Sequence, residues 1–448
     1  MRPMKLHEYF PFYRRNLLLA APVVMSQIGQ VTVSLIDNMM VGYVGTTELA
    51  AASFANNVFM IGMIFGMGIT FGLTPLTGET YGKGKLKQTA QWLKNGIVTH
   101  LLAAVGLSLL MLSVYWLLPF LGQTDDVVKL AQPYYLWLCA SLLPFMIFFT
   151  FKQFWEGIGN THIAMIITLT ANVVNVVVNY LFIFGKFGFP ELGLTGAGIG
   201  TFAARFTMPF LFWIVIRRNC RYRRYLILAH HQLLRLTDIV KILRLGIPIA
   251  FQLIVEVSAF SLGAVMMGWL GEVDLAAHQV AIGMASLTYM ISVGISSATT
   301  IRVSHQKGVH DYLSMKRAAY ASTHLVLFFM SMMGITFVLL RNQLPLLFTS
   351  DPQVIAIAAQ LLVIAAFFQV FDGLQVVMLG SLRGMSDVRI PMLIAFLAYL
   401  ALGLPASYFF AFVLKLGPEG IWYGYLLGLG TAGILFYGRF RRNLKQLL

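Results

Sequence analysis

Twelve apolar runs, each about 20 residues long, follow one another along this chain, and no other feature narrows its fold so far. That is the length a helix needs to cross the hydrocarbon core of a bilayer; strands of a barrel would be shorter and would alternate apolar with polar residues. The runs lie at 17–41, 50–74, 95–118, 131–151, 163–185, 196–216, 244–268, 276–300, 319–340, 356–380, 391–414 and 419–438. With 58% of residues hydrophobic and 11% charged, a soluble globular fold is excluded. The expectation is an all-α integral membrane protein of twelve transmembrane helices.

The net charge of +15 raises the question of nucleic acid, and its distribution answers it. If the loops are numbered alternately from an inside N-terminus, inside segments hold 27 of the 32 Lys and Arg, among them Arg2, Lys5, Lys152, Arg302 and Arg383. Outside loops hold Lys129, Lys186, Arg341 and Lys415, and Arg205 falls within a span. Such a bias places both termini in the cytoplasm. The run "RRNCRYRRY" therefore marks a cytoplasmic face; the bilayer is the partner and no nucleic acid is expected. Cys139, in a span, and Cys220, between spans, make no disulfide framework. No cleavable signal is expected either, because the apolar run after "MRPMKLHEYFPFYRR" is too long for a signal peptide.

Sliding the sequence by 226 aligns 22–82 with 248–308 without a gap, and 14 of the 61 positions are identical. The matches include Pro22/Pro248, Gly42/Gly268, Gly45/Gly271, Gly68/Gly294 and Gly82/Gly308. An ordered series of this kind marks a duplication. Six spans per half start the second half on the same side as the first, so the repeats are parallel, two pseudo-symmetric six-helix bundles. The expected organisation is an N-lobe at 1–216, a basic cytoplasmic linker at 217–243 and a C-lobe at 244–448. Two such lobes imply a cleft that rocking exposes to either side.

Inside the spans stand three acids, Asp37, Glu256 and Asp372. A carboxylate at mid-membrane costs on the order of 2.5–3.5 kcal/mol, so each should face protein, water or a counter-ion. Their neighbours share their helical faces: Gln27, Gln30, Ser34 and Asp37 on the first span, Gln252 and Glu256 on the seventh, Gln369, Asp372 and Gln375 on the tenth. The fifth span carries Asn172, Asn175 and Asn179 in "TANVVNVVVNY". Aligned amide and carboxylate oxygens replace water around a small hard cation or relay a proton. Amide stripes also serve as plain interhelical hydrogen bonds. Arg205 is open between a structural pair and a residue of the cleft. Asp37 aligns with Gly263 and Glu256 with Gln30, so two chemically distinct sites are expected, one per lobe.

At these residues the chain resembles the multidrug and toxic compound extrusion (MATE) transporters, in their bacterial NorM-like branch. The resemblance rests on "AAPVVMSQIGQVTVSLIDNMMVG", "WEGIGNTHIAMI", "ELGLTGAGIGT", "GIPIAFQLIVEVSAF", "LAAHQVAIGMASLTYMISVGISSATTIRVS" and "GLQVVMLGSLRGMSDVRIPM". It implies export of amphipathic or cationic small molecules in exchange for Na⁺ or H⁺ by alternating access, at the inner membrane, by a monomer with no cofactor and no enzymatic activity. It implies an N-lobe cation site of Asp37, Asn175, Asn179 and Thr201, flanked by Gln30 and Ser34. A C-lobe site would comprise Glu256, Asp372, Gln252 and Gln369. Some members carry an aspartate where this chain has Asn179, so the N-lobe has one charge fewer; its amide and hydroxyl oxygens tilt the coupling toward Na⁺. A lipid-linked-precursor flippase of related architecture would instead favour a strongly cationic cavity. An intramembrane enzyme lacks its motifs, since no HExxH or GxSxG stands in a span.

Overall fold

The structure, a computed structural model, describes residues 6–448. Arg2 and Lys5, counted above among the inside charges, lie outside the described residues. Thirteen helical stretches succeed one another: α1 (Phe10–Gly42), α2 (Thr46–Gly82), α3 (Leu86–Phe120), α4 (Asp125–Gly157), α5 (His162–Ile183), α6 (Leu194–Arg218), α7 (Cys220–His230), α8 (Leu236–Leu270), α9 (Glu272–Gly308), α10 (Tyr312–Leu339), α11 (Pro352–Gly384), α12 (Arg389–Val413) and α13 (Gly417–Leu447). Eleven are long and apolar enough to cross a membrane; α13, rich in Gly and Tyr, is less apolar, and α7 is the short basic helix of the linker. With α13, the twelve expected spans are present.

Contacts divide the chain into two compact units, and not at the linker. The first unit is Met25–Ala250; the second is Phe251–Leu448 together with the chain up to Val24. Both breaks fall inside a helix, α1 and α8, two residues after Pro22 and Pro248. They are 226 residues apart, the offset of the internal repeat, so each half contributes the opening arm of its first helix to the unit formed mainly by the other half. A proline inside a helix removes one backbone hydrogen bond and crowds the carbonyl one turn earlier.

The matched glycines explain how the arms fit. A methyl group on Gly68 would collide with the backbone of Ala250, inside the first unit. One on Gly294 would collide with Val24 and the Ala20 carbonyl, inside the second. Gly68 and Gly294 are equivalent positions, as are Val24 and Ala250. Since lipid tails are as apolar as Leu, helix association in a membrane depends on such close backbone approach. Asn16 anchors the arm of α1, its Nδ2 donating to the Ala318 carbonyl at 3.0 Å and to Ser322 Oγ at 2.8 Å on α10.

Each unit has its own packed interior. Trp155, Phe148, Phe154, Phe212 and Tyr135 fill the first; Trp422, Phe337, Phe436 and Phe440 fill the second. The helices run past the apolar stretches that predict them, and this corrects several placements. Lys152, counted above among the inside loop charges, and Glu156, four residues on, are buried in α4 as an i,i+4 pair 3.9 Å apart. Arg302 lies within α9 and Arg383 within the last turn of α11.

α12 departs from ordinary helix. Phe396–Gly403 and Phe409–Val413 carry π-helical hydrogen bonding, on either side of the turn that holds Pro405. Proline disrupts the regular i→i−4 ladder, and wider turns are a common local adjustment to it.

Candidate cation sites

In the first unit, α1 and α5 pack closely enough that a methyl group on Gly29 would lie 3.0 Å from Asn172 Nδ2. Two turns further along both helices, Asp37 Oδ1 accepts a hydrogen bond from Asn179 Nδ2 at 2.7 Å. The same amide nitrogen donates to Asn175 Oδ1 at 3.2 Å. Asn179 is fully buried, and its Oδ1 has no hydrogen-bond partner. That oxygen lies against Gly200 of α6, where any side chain would strike it. Glycine at 200 is therefore what lets α5 and α6 meet around Asn179. The amide nitrogen thus sits between two oxygens, a position that suits a small cation.

Asp37, Asn175 and Asn179 come together; the other expected members stand apart. Thr201, next to Gly200, is half-buried and Gln30 is half-buried, and neither bonds to Asp37. Ser34 is exposed on the turn before Asp37. Arg205, on α6, forms no ion pair among the described residues: Nη1 donates to Ser141 Oγ at 2.7 Å and Nη2 to Met63 Sδ at 3.3 Å. Its guanidinium lies 4.9 Å from the Phe145 ring centre and 5.3 Å from that of Phe59. This is a cation–π setting in which a half-buried positive charge is tolerated.

The second unit holds a more extended network. Glu256 accepts from Gln252 Nε2 at 3.1 Å, one turn away on α8, and from Tyr289 OH on α9 at 3.3 Å. Gln252 Oε1 accepts from Arg383 Nη2 at 2.5 Å. Asp372 Oδ1 accepts from Gln375 Nε2 at 3.1 Å, and Gln375 Oε1 accepts from Tyr399 OH of α12 at 2.9 Å. Gln252, Glu256, Asp372 and Gln375 are all buried. Gln369 is not joined to them: its amide is buried against α10 near Gly334, with both polar atoms unbonded. Sequence reasoning missed Tyr289, Tyr399 and Arg383. The two tyrosines gave no polar-stripe signal, and Arg383 was read as a loop charge because the apolar run ends before it.

Both sites offer hard oxygens, and no group of three or more His, Cys, Asp and Glu comes together among the described residues. Oxygen donors suit a proton or an alkali cation better than a soft metal.

A family model described as MatE matches residues 22–181 and 248–409, the two halves of the duplication. The chain belongs to the MATE family. The "Probable multidrug resistance protein NorM" of Rhizobium meliloti is 34% identical over 444 residues, covering 97% of this chain and 94% of that protein. The "Multidrug resistance protein NorM" of Photobacterium profundum is 31% identical, covering 97% and 96%. Among solved structures, the Vibrio cholerae MATE transporter VcmN in the bent form superposes with a TM-score of 0.88 at 19% identity, covering 98% of this chain and 99% of that one. The MATE fold has twelve helices, as here, and the family is one of transporters. This chain is a multi-pass protein of the inner membrane.

Proposed function

We propose that the protein exports amphipathic, often cationic, small molecules in exchange for Na⁺ or H⁺, by alternating access. The observation that carries this reading is the charge balance of the two sites. At the hydrogen-bonded site of the second unit the formal charges are two carboxylates, Glu256 and Asp372, against one guanidinium, Arg383, which reaches Glu256 through Gln252. One negative charge is left over, so the cluster takes up one monovalent cation. The first-unit site sets one carboxylate, Asp37, in the field of one guanidinium, Arg205, with which it makes no ion pair, and the Asn179 amide nitrogen fills the gap between the Asp37 and Asn175 oxygens. The second unit is therefore the primary seat of the coupling ion.

Neutral amides and phenols hold Glu256 and Asp372. Such partners orient a carboxylate without cancelling its charge, so a proton, a metal cation and an organic cation compete for it. If occupancy by each favours a different facing, exchange follows by population shift. NorM relatives named as multidrug resistance proteins support drugs as cargo. The flippase reading would require a cavity dominated by cations, whereas at the second-unit site two carboxylates outnumber one guanidinium. The test is ethidium efflux from cells expressing Glu256→Gln, Asp372→Asn or Asp37→Asn at equal levels. The two second-unit variants are expected to abolish efflux. Wild-type efflux in all three would reject the proposal.

A further inference from the structure

α6 ends at Arg218 and α8 begins at Leu236, and since both cross the bilayer, α7 and the turn after it are confined to one membrane surface. Residues 217–244 hold eight Lys and Arg against a single acid, Asp238. That acid is buried and accepts from Asn95 Nδ2 of α3 at 3.0 Å, so the exposed surface of the segment carries no carboxylate. Arg218, Arg223, Arg224 and Arg235 are all exposed on it.

Two tyrosines fix which way α7 faces. Tyr222 OH accepts from Asn160 Nδ2 at 2.5 Å, and its ring meets that of Trp155 edge-on with centroids 5.9 Å apart. One turn on, Tyr225 is buried against Phe154, the centroids 5.5 Å apart. Residues three and four apart share a helical face, so Arg223, Arg224 and Ile227 are left on the outer side, all exposed. The turn that follows is held by its backbone from α3. Gln91 Nε2 donates to the Leu233 carbonyl at 2.6 Å, Lys94 Nζ to the Gln232 carbonyl at 2.5 Å, and Asn95 Oδ1 accepts from the Arg235 N–H at 3.3 Å. With its polar groups bound inward, this turn presents side chains outward: Leu233 is 79% exposed and Leu236 74%, with Leu234 exposed between them.

Leucines pinned outward beside arginines that no exposed carboxylate offsets call for a partner that is anionic at its surface and apolar beneath. Nucleic acid would answer the arginines and leave the leucines in water. The leaflet beside them answers both, and amphipathic segments with a basic polar face lie in its plane. We propose that α7 and the 233–236 turn dock on anionic phospholipid, with Arg223, Arg224 and Arg235 on headgroup phosphates and Ile227, Leu233, Leu234 and Leu236 in the acyl boundary. Gln91 is then a positioning residue, holding the leucines at the depth at which the arginines meet phosphate. The surface belongs to the first unit alone and shares no residue with either cation site.

The test uses the full chain carrying Cys220→Ser and Leu234→Cys, Cys139 being buried, with a nitrobenzoxadiazole label at 234. The protein is placed in nanodiscs of phosphatidylcholine with rising phosphatidylglycerol. Emission should shift to the blue as phosphatidylglycerol rises and be quenched by a nitroxide on the acyl chain near the headgroup. For Arg223→Gln and for Arg224→Gln, both on an exposed face, the phosphatidylglycerol content at half-shift should rise about fivefold, the factor that one basic residue at an anionic surface corresponds to. A label quenched by aqueous iodide at every lipid composition overturns the proposal. So does a half-shift that both arginine variants leave in place, or the same blue shift produced in phosphatidylcholine alone by glycerol phosphate or an oligonucleotide. Gln91→Ala should spread the quenching over a range of depths; an unaltered depth removes Gln91 from the positioning.

Discussion

Asn179 turns its amide nitrogen, not its oxygen, toward Asp37, and this one orientation separates the two units chemically. An N–H donor in that place mimics a bound cation; the unbonded oxygen behind it is pinned against Gly200. Gly200→Ala should push Asn179 off Asp37 and lower stability by about 1–3 kcal/mol, as overpacking does in a close-packed interior. The thermal midpoint in detergent, followed by tryptophan fluorescence, checks it. In the second unit Arg383→Gln removes the positive charge relayed by Gln252, and Glu256 and Asp372 then want about one more cation per protein. ²²Na⁺ binding at high pH, or proton release on Na⁺ addition, should show the increase; unchanged stoichiometry would mean that Arg383 does not set the charge of the cluster. The three acids and their amide neighbours were readable from helical spacing alone. Arg383 and the tyrosines were not, because polarity at a span's end or on a phenol looks the same from sequence whether the side chain turns inward or outward.

Spans emerged from the sequence because twenty apolar residues leave few alternatives; their ends did not, because helices in this protein continue past the hydrocarbon-like stretch. α4 carries Lys152 and Glu156 in its buried last turns, where each charge has the other within 3.9 Å. The match of Gly68 with Gly294 was visible in the repeat, but its reason, a backbone seated against each glycine, needed coordinates. Leu at either position has nowhere to go. Gly68→Leu and Gly294→Leu should each abolish stable expression of the folded protein, measured as the monodisperse fraction on size-exclusion chromatography, whereas Gly106→Leu, with open space around it, should be tolerated. Helix ends outside the membrane follow soluble rules. Asp311 caps α10 by accepting from the Ser314 backbone N–H at 2.9 Å, and that bond holds its carboxyl below the usual range. Its contribution is therefore full above the ordinary carboxylate pKa and is lost as pH falls through the lowered value. Asp311→Ala should cost about 0.5–2 kcal/mol at neutral pH, and the difference from wild type in thermal midpoint should shrink in acid.

For the molecule as a whole, the duplication explains why two units of one fold hold different chemistry. The first places its acid at 37 and the second at 256 and 372, and position 37 corresponds to Gly263, a glycine on which a side chain would strike the Tyr425 hydroxyl. Each half could thus change its polar residues without altering the glycine contacts that pack it. If the second unit is where the coupling ion sits, the most direct measurement is ethidium transport in proteoliposomes with Na⁺ and pH gradients imposed separately, for wild type, Asp37→Asn and the Glu256→Gln/Asp372→Asn double variant. The account predicts that one gradient drives wild type, that Asp37→Asn keeps a measurable part of that coupling, and that the double variant loses it entirely. Full gradient-driven transport by the double variant would contradict the account.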